Sequence, residues 1–186
     1  MNSPEPVRNP VRRAPPSVAL RHGFCLLLEK MLRWCVHPRL RARLLRLLGA
    51  SVGRNVRVYE IQLFNLEQGF RNLHLGDDVH VGPGCRLDLA GRLAIGDRTT
   101  LSPGVTILTH SDPGAAHGSR LAAWYPPRTN DVSIGADCWL GAGAIVLAGV
   151  RVGDLVAVGA GSLLTSDAPA AHVVAGVPAV VKKPLV

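Results

Sequence analysis

Aliphatic residues recur at every sixth position over most of this chain, and a glycine often follows. The clearest run is Ile134, Leu140, Val146, Val152, Val158 and Leu164, with Gly135, Gly141, Gly153 and Gly159 directly after four of its members. Two shorter runs precede it, Leu75, Val81, Leu87 and then Ile95, Leu101, Ile107. Val52-Gly53 and Val58 are weaker echoes that start the pattern just past Gly49. A period of six is neither the 3.6 of a helix nor the alternation of an open sheet. A short strand and a tight turn use about six residues, and three such units close a triangular coil whose aliphatic residues point inward. Glycine beside the corner supplies a positive φ or a close approach. Eight residues separate Leu87 from Ile95, so two extra residues bulge there.

The pattern is different before Gly49. Residues 1–17 carry Pro4, Pro6, Pro10, Pro15 and Pro16 among arginines and are expected to form a loose tail. Residues 18–48 read as a basic amphipathic helical arm. Leu40, Leu44, Leu47 and Leu48 form its apolar stripe, and Arg39, Arg41, Arg43 and Arg46 lie on the other faces. Pro38 divides the arm into two helices, and Gly49 stops the second. Residues 49–186 form the repeat domain. Its regularity fails over 109–131, a polar stretch with three prolines and an adjacent Trp124 and Tyr125. A loop this long inside a compact domain is usually functional.

Composition sharpens this reading. The chain is 47% hydrophobic but only 4% aromatic, as a narrow interior filled by Val, Ile and Leu requires. The formal charge of +8 belongs to the arm: the first 48 residues hold ten basic and two acidic side chains, and the remainder is balanced. Such an arm suits an anionic membrane surface, a nucleic acid or an acidic partner. Phe24 and Trp34 are the only aromatics among the arm's cations, too few to stack a run of bases, so no nucleic-acid partner is expected. Cys25, Cys35, Cys85 and Cys138 show no metal-type spacing and are expected as reduced thiols. The apolar stretch 24–36 is interrupted by Glu29, Lys30 and Arg33, too charged for a membrane span and without a leader's cleavage site. A cytoplasmic protein, with the arm in peripheral contact with the membrane's inner face, is the expectation.

The stretch SIGADCWLGAGAIVLAGVRVGDLVAVGAGSLLTSDAP and the closing VVAGVPAVVKK closely resemble the hexapeptide-repeat acyltransferases, among them the galactoside, maltose and polysaccharide O-acetyltransferases. The upstream IGDRTTLSPGVTILTHSD resembles the segment that delivers that family's histidine, so the likeness runs from Leu75 to Lys183. It implies an all-β fold, a left-handed parallel β-helix carrying the N-terminal helical arm, and a homotrimer with active sites between subunits. It also implies transfer of an acetyl or other acyl group from acetyl-CoA, with no metal, to a saccharide or other small hydroxyl acceptor.

Direct transfer needs a base, because a hydroxyl is a poor nucleophile at neutral pH. His110 is the candidate, oriented by Asp112. Relatives often carry a second histidine where Asp112 stands, and His117 is the other residue that fits the role. Asp88 reads either as a holder of the acceptor hydroxyl or as a turn aspartate. Trp124 and Tyr125 fit stacking on a sugar or adenine face, or packing on a neighbouring subunit. The resemblance assigns the acyl-CoA contacts to Ala142, Ala160, Thr165 and Ser166, with Lys183 near the phosphates. Many relatives have cations where Ser166 and Val180 stand, which leaves Lys182, Lys183 and Arg151 to compensate. Two other readings use the same fold: a non-catalytic scaffold, and a zinc enzyme like the γ-class carbonic anhydrases drawing on His74, His80, His110 and His117. No two of those histidines have the five-residue spacing expected of that zinc class.

Overall fold

The computed structural model describes residues 16–185. Helices α1 (Pro16–Arg33) and α2 (Pro38–Leu47) come first. The loose tail expected for residues 1–17 lies outside the described residues, except that Pro16 and Ser17 begin α1. His37 caps α2 with its side chain and Pro38 opens the helix, where a missing N–H costs nothing. Gly49 ends it at φ +102°.

The rest is a parallel β-solenoid. The first coil is β1 (Ser51–Val52), β2 (Arg57–Val58) and β3 (Gln62–Phe64). The second is β4 (Leu73–Leu75), β5 (His80–Val81) and β6 (Arg86–Asp88). The third is β7 (Leu93–Ile95), β8 (Thr100–Leu101) and β9 (Thr106–Ile107). The chain then leaves the solenoid through β10 (His110–Ser111) and returns through β11 (Arg128–Thr129), which pair antiparallel. The fourth coil is β12 (Val132–Ile134), β13 (Trp139–Leu140) and β14 (Ile145–Val146), and the fifth is β15 (Arg151–Val152), β16 (Ala157–Val158) and β17 (Leu163–Leu164). Ala168 and β18 (His172–Gly176) begin a sixth, and β19 (Ala179–Pro184) folds back antiparallel on β18. The first, second and third strands of successive coils stack into three sheets, the faces of a triangular prism.

Every member of the six-residue runs points inward and is buried, from Val52 through Leu101 to Leu164. A second inward column stands two residues earlier, as Val79, Thr99, Cys138 and Val156 illustrate. Thr99 is accommodated there because its hydroxyl donates to the Gly135 carbonyl and accepts from the Cys138 N–H. Cys85 serves as filler, and burial pushes its thiol up to about 11.

The glycines and the positive φ angles occupy different places. At the corner joining the first sheet to the second, Gly96 has no positive φ; a Cβ there would lie 2.6 Å from the Gly135 carbonyl carbon in the next coil. The left-handed position falls two residues later, on Asn55, Asp78, Arg98, Asp137 and Leu155. So close coil-to-coil approach, not φ, demands these glycines. Aspartates of the second, third and fifth coils complete the corner: Asp77 accepts from the Arg54 N–H, Asp97 from the Asp77 N–H and Asp154 from the Ala136 N–H.

The helices close the N-terminal end of the prism, α1 against β3 and α2 against β1 and β2. The expected apolar stripe of α2 is only partly its inward face: Leu44 and Leu48 pack half-buried against the core. Arg41, Ala42 and Leu45 are buried, while Leu40 and Leu47 turn outward. The Arg41 guanidinium donates to the carbonyls of Leu32, Arg33, Cys35 and Val58. These include the Arg33 carbonyl at the C-terminus of α1; the Leu32 carbonyl also accepts from the Cys35 N–H. Nearby, buried Glu29 accepts from Arg33 and from the Leu63 N–H.

Three outcomes follow for stability, all read from denaturant midpoints. Gly96→Ala destabilises by about 1–3 kcal/mol through overpacking, whereas Leu155→Asn, which relieves a left-handed leucine at φ +56°, stabilises by up to ~1 kcal/mol. Arg41→Lys keeps the charge but loses the planar fork, and costs about 2–4 kcal/mol.

Candidate active site

Departures from the six-residue period gather at one corner, the one joining the third sheet to the first. Twelve residues separate Leu63 from Leu75, eight separate Leu87 from Ile95, and 27 separate Ile107 from Ile134. The extra residues therefore stack along a single edge of the prism. Asn65, Asp88 and His110 meet on that edge from three successive coils.

Asp88 is fully buried and accepts five hydrogen bonds. One oxygen takes the Asn65 amide at 2.8 Å and the Ala90 N–H at 3.1 Å. The other takes the N–H groups of Thr109 and His110 at 2.9 and 3.0 Å, and the His110 Nδ1 at 2.5 Å. Burial alone would raise the Asp88 carboxyl; the bonds from His110, Asn65, Ala90 and Thr109 outweigh it and hold the group below the usual carboxylate range. A carboxylate on Nδ1 assigns the ring proton to that nitrogen and leaves Nε2 as the basic one, with the Asn65 amide nitrogen 3.5 Å away. The His110 side chain is 33% exposed, so the ring is fixed on one side and open on the other.

Two expectations change here. Asp112 does not orient His110: its carboxylate accepts from the N–H groups of Gly114 and Ala115, both at 2.8 Å, and fixes the start of the excursion. Asp88 has no oxygen left for an acceptor hydroxyl and instead positions the histidine. Asn65 belongs to the cluster and is missed by sequence reasoning; the long gap after Leu63 was the signal. His117 ends a 3-10 turn (Ala115–His117), exposed. Trp124 and Tyr125 are exposed at 56% and 69% beyond a second such turn.

An open groove of about 870 Å³ lies beside this edge, lined in part by Arg92, Thr129, Asn130, Ser133 and Arg151. Thr129 of this lining is the ladder partner of His110 across β10 and β11, while His110 itself is not part of the lining. The positions assigned to acyl-CoA fall into separate groups. Ala142 and Ala160 are exposed and stack at the corner joining the second sheet to the third, with the Gly161 N–H donating to the Ala142 carbonyl. Thr165 and Ser166 lie one strand further on, along the edge of His110, and Lys183 is exposed on β19. Exposed Trp139 on β13 donates its indole N–H to Ser102, on the face leading to Ala142, and the sequence reading passed over it. Among the described residues no three His, Cys, Asp or Glu side chains converge as metal ligands.

The bacterial transferase hexapeptide family, described as six repeats, matches residues 131–166. A galactoside O-acetyltransferase of Lactococcus lactis is 33% identical over 159 residues, covering 85% of this chain and 74% of that protein. The chain belongs to the hexapeptide-repeat acetyltransferases. A putative colanic acid biosynthesis acetyltransferase, WcaF, of Escherichia coli is 34% identical over 143 residues, covering 77% of this chain and 74% of its own. In fold, this family member is similar to a hexapeptide-repeat acetyltransferase from Vibrio cholerae, with a TM-score of 0.80 at 21% identity over 92% of this chain and 94% of that one. The Vibrio protein complexed with acetyl coenzyme A gives a TM-score of 0.72, also at 21% identity, over 92% of this chain and 91% of that one.

The Asp88 carboxyl supplies a pH test. Its folded value lies below the unfolded one of about 3.9. The stability it contributes is therefore complete above that value and is lost as pH falls through the lower folded value. Asp88→Asn should lower the unfolding free energy at neutral pH by about 2–3 kcal/mol, read from denaturant curves, and flatten the acid limb of the stability profile. Asp112→Asn should flatten that limb less, because its carboxyl, also held below the usual range by the Ala115 and Gly114 N–H groups, is screened by solvent.

Proposed function

We propose that this acetyltransferase moves the acetyl group of acetyl-CoA directly to a hydroxyl of a saccharide or glycan precursor, with His110 as general base. The observation that carries the reading is the His110 Nδ1–Asp88 contact at 2.5 Å on a ring that is one-third exposed, which leaves Nε2 as the nitrogen without the carboxylate. The acceptor hydroxyl attacks the thioester carbonyl as its proton passes to Nε2. A carbon–oxygen bond forms, the tetrahedral intermediate collapses, and the carbon–sulfur bond breaks. The imidazolium returns the proton to the departing thiolate, and CoA leaves as the free thiol. Asp88 stabilises that imidazolium and holds the ring in one tautomer. Support for the donor and acceptor comes from relatives named galactoside O-acetyltransferase and from the acetyl-CoA complex of the Vibrio protein. The groove beside His110 offers two guanidinium groups, an amide and hydroxyls to a polyhydroxylated acceptor.

The divided thioester positions favour an assembly. A pantetheine arm lying along Ala142 and Ala160 is one prism face away from His110 of the same chain. A neighbouring copy that presents its His110 edge to the Ala142 edge completes the site, and a closed ring of three does this for every copy. Lys183, with Lys182 beside it on β19, would meet the phosphates.

His110→Ala is expected to lower turnover by about 10²–10⁴-fold, measured as release of CoA thiol with a panel of galactosides and glycan fragments. Acetyl-CoA affinity by calorimetry should stay within about twofold, because the base is not asked to bind the donor, while Lys183→Ala should weaken it. Undiminished turnover in His110→Ala would remove the mechanism, and no acetyl-CoA binding by the wild-type protein would remove the donor.

A further inference from the structure

Helix α1 is apolar on two opposite sides, and the solenoid covers only one of them. Cys25, Leu28, Glu29 and Leu32 face the first coil, where Cys25, Glu29 and Leu32 are buried. On the far side Leu20, Phe24, Leu27 and Met31 follow one another at steps of three and four residues, and Trp34 continues the line. These five are between 56% and 88% exposed. Helix α2 repeats the arrangement: its outward side carries Leu40 and Leu47, 47% and 82% exposed. Because α1 packs on β3 and α2 on β1 and β2, both helices lie across the open end of the first coil. Their outward sides therefore make up one end of the molecule. A helix face this apolar requires a cover.

The charges around the stripe select the cover. Arg21, Lys30, Arg39 and Arg43 are exposed on the same two helices. Glu29 is the only acid in residues 16–48, and it is buried against Arg33. A second copy would bring the same cations against these, so like-charge repulsion opposes end-to-end pairing. Apolar side chains along the middle of a helix, with cations at their borders, instead match a bilayer surface. The rings and aliphatic groups enter the acyl boundary while Lys and Arg extend to phosphate headgroups. No helix among the described residues is long and apolar enough to cross a membrane, which leaves contact at the surface.

We propose that this end of the molecule docks on an anionic lipid bilayer, with Leu20, Phe24, Leu27, Met31 and Trp34 seated at the boundary between headgroups and acyl chains. The inference does not depend on the chemistry of His110. Its bearing on that chemistry is positional: Asn65, Asp88 and His110 belong to the first three coils and so lie toward the docked end. Association through the prism's edges would leave this end free.

The test is co-sedimentation of the full chain with vesicles of phosphatidylcholine, alone or mixed with phosphatidylglycerol. Wild-type protein should bind the mixed vesicles at least about tenfold more tightly than the neutral ones. Phe24→Glu combined with Leu27→Glu should weaken that binding by roughly tenfold or more, with the thermal midpoint and acetyl-CoA affinity unchanged, since both positions are exposed. Arg39→Glu with Arg43→Glu, an independent pair, should weaken it comparably. Equal binding to neutral and mixed vesicles, no binding at all, or wild-type affinity in either double variant would overturn the proposal. So would self-association in the absence of lipid that Phe24→Glu with Leu27→Glu abolishes, because that would assign the face to a second copy.

Discussion

No coil of this protein can satisfy its own backbone. The Gly53 N–H donates to the Leu75 carbonyl, Gly76 to Ile95, Gly96 to Ile134 and Gly135 to Val152, so each rung is completed by the coil above it. Those bonds require adjacent backbones to approach without side chains between them at the corner, which explains the recurring glycine after the inward aliphatic. The same spacing stacks the aliphatics into one dry column, and the hydrophobic gain of each coil exists only when its neighbours are present. Everything else in the molecule accommodates that dependence. The two ends need closing, and any insertion must leave the column untouched.

The corners differ in what they tolerate. At the corner joining the first and second sheets, aspartates bond to the preceding coil and leave little room for extra chain. At the corner joining the third sheet to the first, the chain departs from its period three times, and the departures stack. Each insertion brings polar groups to the same edge, and Asp88 collects them. Its carboxylate takes N–H groups from Ala90, Thr109 and His110 as well as the Asn65 amide, so it stays ionised in a place where burial would otherwise neutralise it. The candidate base is thus held by the group that also anchors the excursion. This is an economical way to put chemistry on a fold whose interior has no space for it.

The N-terminal end is closed by charge as well as by apolar packing. A buried guanidinium with no carboxylate among its hydrogen-bond partners is costly unless its donors are used. Arg41 uses four of its five N–H groups on main-chain carbonyls, tying the end of α1 to the start of the solenoid. With that inward face occupied by Arg41, Ala42 and Leu45, Leu40 and Leu47 are left outside. The apolar exterior of the cap is therefore a consequence of how it is fastened.

The solenoid was legible in the sequence because its period is local. A strand and a corner use six residues wherever they occur, so one chain displays the repeat without an alignment. The excursion over 109–131 was legible as the failure of that period, and His110 as the polar residue at its edge. What meets His110 was not. Neighbours in a solenoid are separated by a whole coil, and that distance in sequence varies with the insertions at one corner. The sequence pointed to Asp112, two residues away, whereas folding delivers Asp88 from 22 residues away and Asn65 from 45. The helical arm fails in the same way. Its leucines and arginines alternate so densely that either face satisfies the helical period, and only packing against the first coil decides that Arg41 goes in and Leu47 stays out. Local repetition determined the column and the place of the site, while contacts between coils chose its members, because a one-dimensional period says what points inward but not what lies one turn above.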